Sequence, residues 1–221
     1  MADEQYLVSG GSTAAGLFVI QLARLAGFRV IATASPRSFD LVKNYGAEHV
    51  VSYADHPAAI REIQEITGGG VTIGIDCVGG KENLRFAINT FGPNGGKITS
   101  ILPGGKSHRQ DVQLEDILLY RYLGKVKPFH TIMLTLQAFT FIPIVASFPA
   151  EPEKRAFLTS LTAKATSLIE GNGIKPNPVE VTHGLEALPG NWDRLRVSRR
   201  RNTTDGQNKK VSGAKLVTVI A

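Results

Sequence analysis

Tyr6-Leu7-Val8-Ser9-Gly10-Gly11-Ser12-Thr13-Ala14-Ala15-Gly16 reads as a short apolar strand running straight into a glycine-rich turn. Beyond it, Leu17, Ile20, Leu22, Ala23 and Leu25 recur at helical spacing and stop at Gly27, a residue suited to ending a helix. A strand, a glycine turn and a helix in that order aim backbone N–H groups and the positive end of the helix at one point. That point attracts an anion, above all a pyrophosphate.

The same alternation continues outward from this unit. Arg29–Ala34 reads as a second strand, Phe39–Tyr45 as a short helix closed by Gly46, and His49–Tyr53 as a third strand. Pro57–Thr67 reads as a helix that ends at Gly68-Gly69-Gly70. Val71–Val78 is apolar with almost no alternation, as suits a parallel strand buried on both faces. Leu84–Phe91 and Gly96–Leu102 supply a further helix and strand. Strands alternating with helices predict an α/β fold built on a doubly wound parallel sheet, a Rossmann-type NAD(P)-binding domain. Its expected extent is residues 1–150.

The turn is not a strict G-x-G-x-x-G, and glycine turns also occur in α/β domains that bind nothing. Its place after the first strand of a βαβ unit favours the dinucleotide reading for Gly10, Gly11, Ser12, Thr13, Ala14 and Ala15. The end of the second strand bears on which dinucleotide. A site that prefers NADH carries Asp or Glu there for the ribose 2′-OH. This sequence has Ala34-Ser35-Pro36-Arg37-Ser38, with no carboxylate before Asp40. Two hydroxyls and a guanidinium suit a 2′-phosphate, so NADPH is the expected cofactor. The competing reading makes Ser35-Pro36 a plain helix start and Arg37 a solvated cation.

Composition narrows the function classes. Of 221 residues, 43% are hydrophobic and 20% charged, ordinary for a soluble globular chain. The net charge of +6 concentrates late, in Arg194, Arg196, Arg199, Arg200, Arg201, Lys209 and Lys210. No aromatic residues interleave with that run for base stacking, so it reads as a solvated basic insertion at about 197–209 and not as a nucleic-acid surface. The single cysteine, Cys77, excludes an internal disulfide and sits in an apolar run as a buried thiol. His49, His56, His108, His130 and His183 are scattered singly, without metal-ligand spacing, and no metal is expected. His108 and His130 qualify as proton donors only by position, and packing or surface roles are preferred for both. Asp76 closes the fourth strand and is expected to cap the turn after it.

Residues 131–148 are apolar, but Gln137 and Pro143 interrupt them short of the roughly 20 residues a spanning helix needs. They read as buried helix, strand or pocket wall. No secretory signal opens the sequence, and a cytoplasmic location is expected. Val112–Leu123 reads as mostly helical and Phe157–Glu170 as an amphipathic helix. Val179-Glu180-Val181 and Lys215–Val219 read as strands. Residues 151–221 are expected to complete the sheet and the cofactor cleft, or to belong to a partial second domain.

The strings GGSTAAGLFVIQLARLAGFRVIATASPRSFDLVKNYGAEHVVSY (10–53), GIDCVGG (74–80) and KVSGAKLV (210–217) carry a resemblance. They resemble the zinc-independent, quinone oxidoreductase-like branch of the medium-chain dehydrogenase/reductase superfamily. More narrowly, the sequence looks like the trans-acting enoyl reductases that serve fungal polyketide synthases.

The resemblance implies NADPH phosphates on Ser12–Ala15 and a 2′-phosphate on Ser35, Pro36, Arg37 and Ser38. It also implies that Tyr53 contacts the adenosine end and that Ser100, Ile101 and Leu102 approach the nicotinamide. Val211 and Ser212 would complete the cleft, and Arg121, Tyr122, Leu123, Gly124 and Lys125 would face the substrate. No catalytic acid is assigned. Family members carry an amino-terminal GroES-like domain before the strand that opens this sequence, and this chain is read as lacking it.

The implied activity is NADPH-dependent reduction of an α,β-unsaturated polyketide thioester held on a synthase carrier domain, by a monomer or homodimer. Two alternatives stand beside it. One is a zinc-independent reductase of a quinone or a small free enone. The other is a cofactor-binding remnant without turnover.

Overall fold

A computed structural model describes residues 4–102, 105–117, 151–171, 173–183, 186, 189 and 215–219. The chain divides into two compact units, one of residues 1–116 and 172–221 and one of residues 117–171. The boundary expected at residue 150 falls inside the second unit.

The first unit is built on a six-stranded sheet. Its strands are β1 (Gln5–Ser9), β2 (Arg29–Ala34), β3 (His49–Ser52), β4 (Ile73–Asp76), β5 (Gly96–Ser100) and β6 (Val112–Asp116). All neighbours pair in parallel, in the order β3-β2-β1-β4-β5-β6. The chain winds outward from β1 in one direction and then, after β3, crosses back to β4. Every strand therefore ends on one edge, and the connections part between β1 and β4 to leave a crevice there. Register fixes what meets at that edge: Ser9 stands beside Asp76, Asp76 beside Ser100, and Ala34 beside Ser52.

Helices α1 (Ala14–Leu25), α2 (Phe39–Asn44), α3 (His56–Thr67) and α4 (Lys81–Asn89) connect the strands. Each start follows local chemistry. Thr13 caps α1 by accepting the Gly16 amide at 2.9 Å, and Asp55 caps α3 by accepting the Ala58 amide at 3.0 Å. Leu7, Ile31, Val51, Ile63, Phe86, Ile88, Phe91 and Ile98 form one buried cluster against the sheet. The near-continuous apolar stretch at 71–78 yields a shorter strand than its composition suggests. Gly70 (φ +119°) precedes it, and Asp76 turns the chain immediately after it.

Two expectations are corrected. Val112–Asp116 is a strand and not the start of a helix. Its apolar residues 112 and 114 alternate with polar neighbours, and Leu114 pairs with Ile98 of β5. Residues 118–123 of that expectation lie outside the described residues. The late strands β7 (Val179–His183) and β8 (Lys215–Val219) do not finish the six-stranded sheet. They form a separate parallel pair.

In the second unit, α5 (Pro152–Glu170) is the expected helix, but it buries none of its residues. Among the described residues no helix is long and apolar enough to cross a membrane. The apolar stretch 131–148 and the basic stretch 197–209 lie outside the described residues.

Candidate nucleotide-binding site

The turn after β1 is held rigidly. Gly10 donates its amide to Thr33 Oγ1 at 3.0 Å, and Gly11 donates to the Thr33 carbonyl at 2.8 Å. Thr13 then donates back to the Gly10 carbonyl at 3.0 Å before capping α1. The three glycines leave no room for side chains. At Gly10 (φ +81°) an added Cβ would lie 2.3 Å from Val78 Cγ2, and at Gly16 it would lie 2.3 Å from the Gly10 carbonyl oxygen. At Gly11 it would lie 2.8 Å from Ala32 Cβ. Helix α1 thus starts hard against the β1 turn. The amides of a first helical turn have no partner within the helix, so those of Ala14 and Ala15 are available to an anion.

Across β2, Ser35-Pro36-Arg37-Ser38 folds as a short 3-10 turn. The Ser38 amide donates to the Ser35 carbonyl at 2.8 Å, bringing the two hydroxyls to 3.3 Å. Ser38 is buried, whereas Pro36 and Arg37 are exposed. The first carboxylate, Asp40, lies beyond this turn in α2 and is exposed. Tyr53 follows β3 directly and is partly exposed on the same edge.

On the other side of the crevice, Asp76 is fully buried. Its Oδ1 accepts the Val78 amide at 3.0 Å and its Oδ2 the Gly79 amide at 3.1 Å. Burial raises its pKa above the ordinary carboxylate value, and these amides together with Asn83 offset part of the rise. The expected turn-capping role is what the structure shows. Burial, reinforced by the Asp76 charge, pushes the adjacent Cys77 thiol up to about 12, so it stays protonated and inert at neutral pH.

Ser100, Ile101 and Leu102 end β5 on the same edge. The Ser100 hydroxyl donates to the Leu102 carbonyl at 3.0 Å, and Ile101 donates its amide to the Asp76 carbonyl at 3.2 Å.

The parallel sheet therefore brings Gly10–Ala15, Ser35–Ser38, Tyr53 and Ser100–Leu102 to one edge. Val211 and Ser212, with Arg121, Tyr122, Leu123, Gly124, Lys125 and His130, lie outside the described residues. His108 bonds to Asn89 Oδ1 at 2.8 Å and His56 stacks on Phe86 at 4.4 Å, both packing or surface roles. Among the described residues no group of three or more His, Cys, Asp or Glu gathers to hold a metal.

Two residues escaped the sequence reading. Thr33 offered a signal, a hydroxyl in an otherwise apolar strand two residues before Ser35. Asn177 offered none. It is buried, reaches back 163 residues to the Ala14 carbonyl at 3.3 Å, and leaves its own Oδ1 without a partner.

A nicotinamide dinucleotide fits this arrangement. The cradle is one that a single Cβ would fill, and it adjoins first-turn helix amides that Thr13 does not cap.

Comparisons with known proteins agree. Residues 14–122 match a family described as zinc-binding dehydrogenase. The trans-enoyl reductase fsa3 of Fusarium sp. (strain FN080326) is 34% identical over 215 residues, covering 96% of this chain and 54% of that protein. The trans-enoyl reductase ACTTS2 of Alternaria alternata is 32% identical over 212 residues, 96% of this chain and 53% of that protein. The chain thus spans about half the length of the curated relatives it matches. In fold it is similar to the CurK enoyl reductase (TM-score 0.67, 16% identity, 99% of this chain and 56% of that one). It is also similar to the quinone oxidoreductase of Pseudomonas syringae pv. Tomato DC3000 (TM-score 0.63, 17% identity, 97% and 57%). The chain has a Rossmann-like α/β fold shared with these solved structures and is a homologue of the trans-enoyl reductases over the half of their length that it spans.

Proposed function

We propose that the chain is the cofactor-binding part of an NADPH-dependent trans-acting enoyl reductase, reducing α,β-unsaturated polyketide thioesters presented on a synthase carrier domain. The observation that carries this reading is the glycine cradle at the β1/β4 crevice, in a chain 34% identical to a trans-enoyl reductase.

Gly10 to Ala15 would hold the pyrophosphate on backbone amides, with Thr33 keeping the turn in place. Ser35, Arg37 and Ser38 would hold the 2′-phosphate, and Tyr53 would cover the adenosine end. Ser100, Ile101 and Leu102 would border the nicotinamide. Bound NADPH would supply a hydride for the β-carbon of the enoyl thioester, and protonation at the α-carbon would complete the reduction. The chain's contribution is orientation and water exclusion, which converts a bimolecular encounter into a positioned one.

Fluorescence titration with NADPH and NADH, followed by absorbance of the nicotinamide band with a crotonyl thioester on a carrier domain, tests this reading. Submicromolar to micromolar NADPH binding with oxidation dependent on the carrier-bound substrate upholds it. Equal turnover of a free enone or quinone would move the chain to a general oxidoreductase. Binding without oxidation would leave a cofactor-binding remnant, and absence of binding would end the nucleotide reading.

A further inference from the structure

Residues 173–177 run along α1, and hydrogen bonds hold them there at three levels. Gln21, buried in the middle of α1, meets the backbone of Lys175 with both ends of its amide. Its Nε2 donates to the Lys175 carbonyl at 3.1 Å, and its Oε1 accepts the Lys175 amide at 2.6 Å. The Tyr45 hydroxyl, just past α2, donates to the Pro176 carbonyl at 2.6 Å. Asn177 Nδ2 donates to the Ala14 carbonyl at 3.3 Å, in the first turn of α1. Ile174 is buried as well, so the segment is anchored from the middle of α1 to its start.

Packing alone does not account for an asparagine at 177. The side chain is buried, and its Oδ1 has no partner among the described residues. A buried acceptor left unsatisfied is destabilising, and an apolar side chain of the same branching would avoid that loss. What asparagine supplies is a donor, and the donor's place is specific. The Ala14 carbonyl and the Ala15 N–H belong to one peptide group. A helical carbonyl already accepts the amide four residues on, so Asn177 gives this one a second donor. Hydrogen bonds in a chain polarise one another, so a donor on the carbonyl strengthens the N–H at the other end of the peptide. That N–H lies in the first helical turn, and Thr13 leaves it free because its side chain caps Gly16.

We propose that Asn177 is a positioning residue for the dinucleotide, fixing the first turn of α1 and polarising the Ala14–Ala15 peptide toward the pyrophosphate. The stronger anion site comes at the expense of stability. Gln21 and Tyr45 act one step further back, by holding the segment that carries Asn177. The proposal rests on the nucleotide reading above and adds to it a contribution from 163 residues away in sequence.

Fluorescence titration of the whole chain with NADPH tests it, with displacement of bound NADPH by ADP and by adenosine 2′-monophosphate, and with thermal melts alongside. ADP carries the pyrophosphate and the 2′-monophosphate does not. Asn177→Leu removes the polarising donor and frees the turn it pins, so affinity for ADP and NADPH should fall about threefold to tenfold. Affinity for adenosine 2′-monophosphate should be unchanged, and the melting temperature should hold or rise. Tyr45→Phe keeps the ring and removes only the bond to Pro176, so it should weaken ADP in the same direction by a smaller factor. It serves if the leucine variant fails to fold.

Unchanged ADP and NADPH affinity in Asn177→Leu would overturn the proposal. A lowered melting temperature with equal losses for all three ligands would mark a plain structural pin and overturn it as well. A chain that shows the selective loss yet never oxidises NADPH with an enoyl thioester would uphold the role of Asn177 while ending the reductase reading. A native chain that binds none of the three would end both.

Discussion

Thr33 grips Gly10 and Gly11 from the neighbouring strand, accepting one amide on its hydroxyl at 3.0 Å and the next on its carbonyl at 2.8 Å. The pair is buried, so an unmet amide there has no water to replace the lost acceptor. Thr33→Val keeps the side-chain shape and removes that acceptor, a change that costs about 1–3 kcal/mol when a buried donor is left unsatisfied. The turn that would cradle the pyrophosphate loosens. The expected result is a loss of about tenfold in affinity for NADPH and NADH alike, with Thr33→Ser restoring both. Fluorescence titration with the two nucleotides checks it, and a loss confined to NADPH would contradict the role assigned to Thr33.

Gly16 offers a test in which two effects oppose each other. Alanine is the better helix former by about 1 kcal/mol, so Gly16→Ala would stabilise an unconstrained helix. Here the added methyl would meet the Gly10 carbonyl at 2.3 Å and Gly11 backbone atoms at 2.9 Å. The backbone of a turn pinned to Thr33 by two hydrogen bonds cannot step aside as a side-chain tip would, and overpacking of this kind costs about 1–3 kcal/mol or more. The clash should win. Urea unfolding is expected to show a lower midpoint, together with weakened nucleotide binding. A raised midpoint would mean that α1 does not pack as closely on the turn as the structure shows.

These two residues also mark how far the sequence could be read. The β1–turn–α1 unit is legible because its signals are local, with apolar strand residues, glycines and helical periodicity all lying between Tyr6 and Gly27. The break after β2 at Ser35-Pro36 was legible for the same reason. Thr33 was harder, since its role depends on a turn 23 residues away in sequence.

Val112–Asp116 misled because residues 112, 114 and 117–119 fit a helical spacing almost as well as a strand. Pairing with β5 decides the matter, and no local pattern encodes it. The pairing of β7 with β8 is hidden likewise, because a parallel pair separated by more than 30 residues has no turn to announce it. Asn177 shows the limit most plainly. An asparagine in a proline-flanked stretch reads as a loop residue, yet it is buried against the first turn of α1.

Arg37 should decide between the two nucleotides. It is exposed beside two hydroxyls that stand 3.3 Å apart, and no carboxylate occupies the turn. A charge-assisted hydrogen bond to phosphate is worth roughly 1.5–3 kcal/mol, and exposure puts this one toward the lower end. Arg37→Ala is expected to weaken NADPH about tenfold while leaving NADH unchanged. Competition by 2′-phosphorylated and unphosphorylated adenosine fragments supplies an independent readout. Equal losses for both nucleotides would show that Arg37 supports the fold and does not select the phosphate.

Asp76 predicts a pH dependence whose sign runs against the usual expectation for a carboxylate. Burial raises its folded pKa above its unfolded value of about 3.9, and the Val78 and Gly79 amides and Asn83 only partly offset that rise. The folded state then binds the proton more tightly than the unfolded chain does. Stability from this group is fully present below the unfolded pKa and is lost as pH rises through the raised folded value. Glu48 and Asp111 act in the opposite sense, since Arg29 and Arg109 hold their pKa values down. Both lie near the surface, so solvent screening leaves them little weight.

Asp76→Asn removes the titration while keeping the side chain's size. It also sets an amide donor against one of the two backbone N–H groups, so the variant is less stable throughout. The melting temperature of the native chain minus that of the variant should therefore be largest near pH 4 and shrink as pH rises, in a thermal series at constant ionic strength. A difference that grows with pH would show that the amides around Asp76 outweigh its burial, and that the carboxylate is held ionised at the crevice.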